Sequence, residues 1–165
     1  MVSWNNFMKF KIIFVCIIMA VLYFIQQPYF FIWVDNQPLV MECANGELHF
    51  YTRFIHSVQK TPVEEYFTVT ADGTIKLDKT KYQSFGVGLP FLEEEGNFYR
   101  EGDYFIFEDM NRSFKELSFR TGVDSQLTLY FNGHEYKLYE LYKLGTKFDL
   151  FVVPLYKVMF KLYSS

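Results

Sequence analysis

The chain has 165 residues, enough for one ordinary domain plus an anchor. Half of the residues are hydrophobic and 21% are charged, a balance that excludes a disordered chain. The net charge of −3 and a pI near 5.6 argue against a nucleic-acid binder, which needs a basic patch.

Aromatic residues reach 21%, with 20 Phe and 13 Tyr, and such residues favour pleated, half-buried surfaces. Lys9 and Lys11 precede an apolar run from Ile12 to Ile25. As a helix this run is only about 21 Å long, short for a hydrocarbon core of about 30 Å. Gln26-Gln27-Pro28 interrupts it, and Tyr29-Phe30-Phe31-Ile32-Trp33-Val34 follows. Adding that aromatic segment reaches a spanning length, with Tyr29 and Trp33 suited to an interface belt and Pro28 to a kink or helix end. No small-x-small cleavage site follows the run, and Phe14-Val15 lacks the small residues expected before a lipid-modified Cys16. The expectation is an uncleaved anchor over 12–34. Lysines before the run, with none after it until Arg53 supplies the next cation, place residues 1–11 in the cytoplasm and 35–165 outside. A thiol in the bilayer, Cys16, and one beyond it, Cys43, are not expected to pair.

Past the anchor, short alternating runs are separated by Gly, Asn and Asp. The predicted strands are Leu39–Cys43, Glu47–Ser57, Val63–Thr70, Thr74–Tyr82, Asn97–Arg100, Tyr104–Glu108, Glu116–Thr121, Gln126–Phe131, His134–Tyr142 and Lys147–Val153. Asn45-Gly46, Ala71-Asp72-Gly73 and especially Asn132-Gly133 mark turns, and Met110-Asn111-Arg112 reads as a break. The tail after Pro154 suits an added strand or an interfacial segment. This spacing predicts an all-β domain, an antiparallel β-sandwich or partly open barrel, preceded by one transmembrane helix.

Chemistry concentrates between Phe54 and Phe67, where His56, Ser57, Pro62, Glu64 and Glu65 fall together. Neighbours on a strand point to opposite faces, so His56 is poorly placed as a base for Ser57. With a four-residue turn over Val58–Thr61, Phe54 opposes Glu65 and His56 opposes Val63. His56 and Glu65 then share a largely apolar face, diagonal across the ladder. There they either pin the hairpin or bind a polar ligand or partner. Ser57 and Thr61 suit turn capping, and Pro62 a strand start. The Gly86-Val87-Gly88-Leu89-Pro90 loop is a tight bend or an anion cradle. Arg112, beside Asn111, has the fork to hold a carboxylate or lies in solvent. His49, His56 and His134 lack zinc-ligand spacing, and no metal or cofactor is expected.

Taken in order, His56-Ser57-Val58, Thr61-Pro62-Val63 with Glu65, Ser84-Phe85-Gly86-Val87-Gly88-Leu89-Pro90 and Met110-Asn111-Arg112 resemble a bacterial domain-of-unknown-function family, number eighteen-fifty. The similarity runs from about Leu39 to Val153. The family's Gly-Ala-Gly-Leu-Pro-like element has Val87 in place of its alanine here. Members are small, carry an N-terminal membrane segment and often neighbour TRAP-type transporters of the TAXI class. The resemblance implies an extracytoplasmic accessory of solute uptake and carries no established activity. Its recurring positions fall on His56, Ser57, Pro62, Glu65, Gly86, Gly88 and Pro90, as candidate site residues.

The expectation is therefore a non-enzymatic interaction module, with the membrane and TRAP transporter subunits as partners. Its candidate ligand or partner residues are those seven with Thr61, Asn111 and Arg112. The rivals are a structural envelope protein without a ligand and a hydrolase using Ser57.

Overall fold

Apolar residues on every side make the first element, α1 (Trp4–Gln26), a helix with no face suited to a protein core. Its Phe7–Gln26 stretch has 20 residues, a mean hydropathy of 2.3 and no buried share, so it is long and apolar enough to cross a membrane. At 1.5 Å per residue that stretch is about 30 Å long, the thickness of a hydrocarbon core. The computed structural model describes residues 4–84 and 96–163.

Only Gln27 separates α1 from β1 (Pro28–Val34). The expected inclusion of the aromatic segment in the anchor is thus corrected: the helix starts earlier, at Trp4, and Tyr29–Val34 is a strand. Pro28 has no N–H to continue the helix, and the strand that follows is paired along both edges. Phe30, Ile32 and Val34 point into the core, and Phe31 is buried on the opposite face against Phe151, with ring centroids 5.5 Å apart.

Asp35 and Asn36, both at positive φ, turn β1 into β2 (Gln37–Cys43). There follow β3 (Leu48–Ile55), β4 (Pro62–Val69), β5 (Ile75–Tyr82), β6 (Asn97–Glu101), β7 (Tyr104–Phe114), β8 (Glu116–Arg120), β9 (Thr128–Phe131) and β10 (His134–Lys137). The chain ends with α2 (Leu138–Leu141), β11 (Lys147–Pro154) and α3 (Leu155–Tyr163). Asn132 and Gly133 both take positive φ in the β9–β10 turn, the conformation that makes Asn-Gly a hairpin signal.

The strands form two antiparallel sheets, one in the order β2-β1-β11-β8 and one in the order β10-β9-β3-β4-β5-β7-β6. Both are open, so the architecture is a sandwich rather than a barrel. Their facing residues make one core, with Phe30, Ile32, Phe148 and Leu150 from the smaller sheet against Phe50, Phe67, Ile75, Phe107 and Leu129 from the larger. Phe50 lies at its centre, stacked on Phe67 at 4.8 Å and on Phe30 at 5.5 Å.

Three further expectations change. Met110–Arg112 is not a break but part of β7, because Asp109 at φ 57 and a register shift absorb the irregularity. The return strand from His134 stops at Lys137, where Leu138 turns inward and begins α2. The tail is a helix, α3, not an added strand.

Phe50→Ala leaves a cavity between the two sheets and lowers unfolding free energy by about 3–5 kcal/mol, read from urea denaturation of the detergent-solubilised chain.

Candidate functional site

Alternation along β3, β4 and β5 sends Thr52, Glu65 and Thr80 to the inner face of the larger sheet. The register sets them side by side, Thr52 opposite Glu65 and Glu65 opposite Thr80. A polar row therefore crosses three adjacent strands. On one side lie Phe50, Phe67 and Leu77 of the main core, and on the other a smaller cluster of Val63 and Tyr82 with Phe54 and Phe105.

The row is poorly satisfied. Thr52 is 1% exposed and its Oγ1 has no hydrogen-bond partner, while Thr80 Oγ1 reaches only the weak acceptor Met110 Sδ, 3.6 Å away. Glu65 is half-buried between them. Burial pushes its carboxyl up to about 7, and the positive charge of Arg112 partly opposes that rise. Arg112 reaches the same face from β7, where it pairs with the inward Leu77. The arrangement is a carboxyl that exchanges a proton near neutral pH, beside a fixed cation and hydroxyl groups.

The β3–β4 connection differs from the expected four-residue turn. Ile55 opposes Pro62, so residues 56–61 form the loop and Glu65 faces Thr52 instead of Phe54. The register has moved by two residues, which keeps every side chain on its expected face but separates His56 from Glu65. His56, 7% exposed, closes the loop: its N–H donates to the Thr61 carbonyl and its carbonyl accepts from Lys60 N, both at 2.9 Å. Its Nδ1 accepts from the backbone N–H groups of Val58 and Gln59, each at 3.2 Å. The lone pair on Nδ1 is thereby used, and the ring proton sits on Nε2. The capping role expected of Ser57 and Thr61 falls to this imidazole. Ser57 is exposed with no hydrogen bond to His56, and Thr61 Oγ1 is buried without a partner. Pro62 opens β4, as its missing N–H suits.

Gly86, Gly88 and Pro90 lie outside the described residues, as does the Asn111 side chain, though the Asn111 backbone belongs to β7. Of the sequence candidates, the geometry brings Glu65 and Arg112 together and leaves His56, Ser57, Thr61 and Pro62 at the loop. Thr52 and Thr80 are additions. Their alternation with apolar neighbours was visible, but their alignment on Glu65 needed the register.

The outer face of the same sheet carries a second polar cluster. Tyr130, Tyr51 and Tyr66 stack in sequence, with centroids 4.2 and 5.1 Å apart, and Lys79 Nζ covers the Tyr66 ring at 4.3 Å. The Tyr66 hydroxyl donates to Glu64 and that of Tyr130 to Glu135, both at 2.7 Å. Burial and then the Glu64 hydrogen bond hold the Tyr66 phenol well above its usual range. A shallow cleft of about 580 Å³ beside these rings is bounded by His49, Asp78, Asn132 and His134. His49 Nδ1 is 2.9 Å from Thr68 Oγ1, whose proton goes to Asp78. Among the described residues no group of three His, Cys, Asp or Glu could hold a metal.

These features define a β-sandwich with an N-terminal apolar helix and a titratable polar row on its larger sheet. The chain belongs to the family described as Domain of unknown function (DUF1850), whose model matches residues 50–138. That match runs from β3 to the first residue of α2, so it contains the entire polar row and nearly all of the larger sheet. No curated protein and no solved structure matches.

Glu65 retains its proton in the folded chain at pH values where the unfolded chain has lost it. The contribution of Glu65 to stability is therefore fully present below about pH 4.5 and is lost as pH rises to about 7. Glu65→Gln removes this term. Between pH 5 and pH 8 wild type loses on the order of 2–3 kcal/mol more than the variant in urea unfolding, and the variant is the more stable at pH 8.

Proposed function

We propose that this chain is a membrane-anchored, non-enzymatic interaction module on the extracytoplasmic side of a bacterial membrane, and an accessory of a TAXI-class TRAP transporter. The observation that carries the reading is the absence of a linker: α1 ends at Gln26 and β1 begins at Pro28. One extended residue spans roughly 3.5 Å, so the domain is held against whatever surface α1 enters. A domain held there meets partners in the membrane far more readily than partners at a distance. Lys9 and Lys11 at the start of α1 support the outward orientation by the positive-inside bias. The transporter association is supported by the family resemblance in the His56, Glu65 and Arg112 segments.

The loop chemistry favours this reading over a hydrolase. His56 Nδ1 is committed to Val58 N and Gln59 N, and Ser57 has no base bonded to it. A serine-directed fluorophosphonate leaves the wild-type chain unlabelled; labelling that Ser57→Ala abolishes overturns the non-enzymatic reading.

The association is tested by capturing the tagged full-length chain from mildly solubilised native membranes. A TRAP membrane subunit co-purifies with wild type. A Gly/Ser insertion of about fifteen residues between Gln27 and Pro28, reaching about 20 Å as a random coil, reduces its recovery severalfold. Recovery of no transporter subunit with wild type overturns the proposal.

A further inference from the structure

The last strand returns to where the first one starts. β1 pairs with β11 along its whole length, with Pro28 opposite Pro154. Neighbouring strands lie about 5 Å apart, so Leu155, the first residue of α3, emerges beside Gln27 and the end of α1. Ile25 and Gln26 of α1 line one cleft with Pro154, Tyr156 and Phe160.

α3 is apolar on its outward side as well as its inward one, unusual for a surface helix. Val158 is its inward residue, 7% exposed. At about 100° per residue, Tyr156 and Phe160 fall on the side opposite Val158, where a helix packed on a soluble domain is polar. Phe160 is 72% exposed and Met159 49%, and Lys157 flanks them. This apolar edge is continuous with the exposed apolar surface of α1 and lies level with its C-terminal end.

We propose that α3 is an interfacial helix, lying in the headgroup boundary of the same bilayer with Tyr156, Met159 and Phe160 toward the acyl chains. Lys157 is placed at the flank of that apolar edge, within reach of headgroup phosphates. The sandwich then stands on two supports, the spanning helix and the flat helix beside it, which fix its tilt over the membrane. The proposal rests on the reading of α1 as a membrane anchor.

The test uses the full-length chain in phosphatidylcholine–phosphatidylglycerol vesicles with single environment-sensitive fluorophores. One label sits on native Cys16 in a Cys43→Ser chain. The others sit at Phe160→Cys and at Val123→Cys, an exposed loop position, in a chain lacking both native cysteines. Lipids carrying a quencher near the headgroup quench the Phe160 label about twofold or more relative to the Val123 label, and lipid-borne quenchers reach the Cys16 label. If the Cys16 label is quenched by lipid while the Phe160 label responds only to aqueous iodide, α3 is in water and the proposal fails with the anchor intact. If the Phe160 label is shielded from both quenchers, protein covers α3 and the proposal fails. If the Cys16 label escapes lipid quenchers, the anchor reading itself falls, and this proposal with it.

Discussion

The pairing of β1 with β11 constrains everything else in this molecule. β1 is hydrogen-bonded on both edges, to β2 and to β11, and it starts one residue after the apolar helix. A strand that is central to its sheet and continuous with a helix of spanning length leaves the sandwich little freedom relative to that helix. The same pairing carries the end of β11 back to the beginning of β1, which brings α3 to the foot of α1. The smaller sheet is thus the mounting, and the larger sheet, where the family match falls, carries the unusual chemistry.

That chemistry is a local departure from the rule that buried polar groups find partners. Thr52, Glu65 and Thr80, with Arg112 beside them, interrupt a largely apolar inner face, and a buried threonine hydroxyl beside a carboxyl is left without a hydrogen bond. An ionised Glu65 there is disfavoured by burial, and Arg112 offsets only part of that cost. Polar residues that lower stability in a domain's interior are commonly kept for what they bind or sense. His56 is different in kind. Its backbone and its Nδ1 bond within the loop it closes, so they shape residues 56–61.

Much of this was legible in the chain itself. Period-two alternation identified most strands and assigned the faces of Phe50, Glu65, Phe67 and Val69, because side-chain direction depends only on parity along a strand. Asn132-Gly133 named its own turn, since both residues tolerate positive φ. Register was not legible. A loop at 56–61 and a turn at 58–61 preserve the same faces, and only hydrogen bonding between β3 and β4 distinguishes them. The Asp109 irregularity hid the continuity of β7 for a similar reason: a bulge reads as a turn until a partner strand is seen to bridge it.

Composition and local pattern settled that this is a β-rich chain with an apolar N-terminal helix, since both follow from short-range preferences. They did not settle where that helix ends. Tyr29–Val34 is apolar at every position, and such a run satisfies a bilayer or a sheet buried on both faces equally well. The choice was made by β11, more than a hundred residues further on, whose backbone completes the hydrogen bonds that β1 needs. Long-range pairing of this sort is absent from any local window, and it alone places the tail helix beside the end of α1.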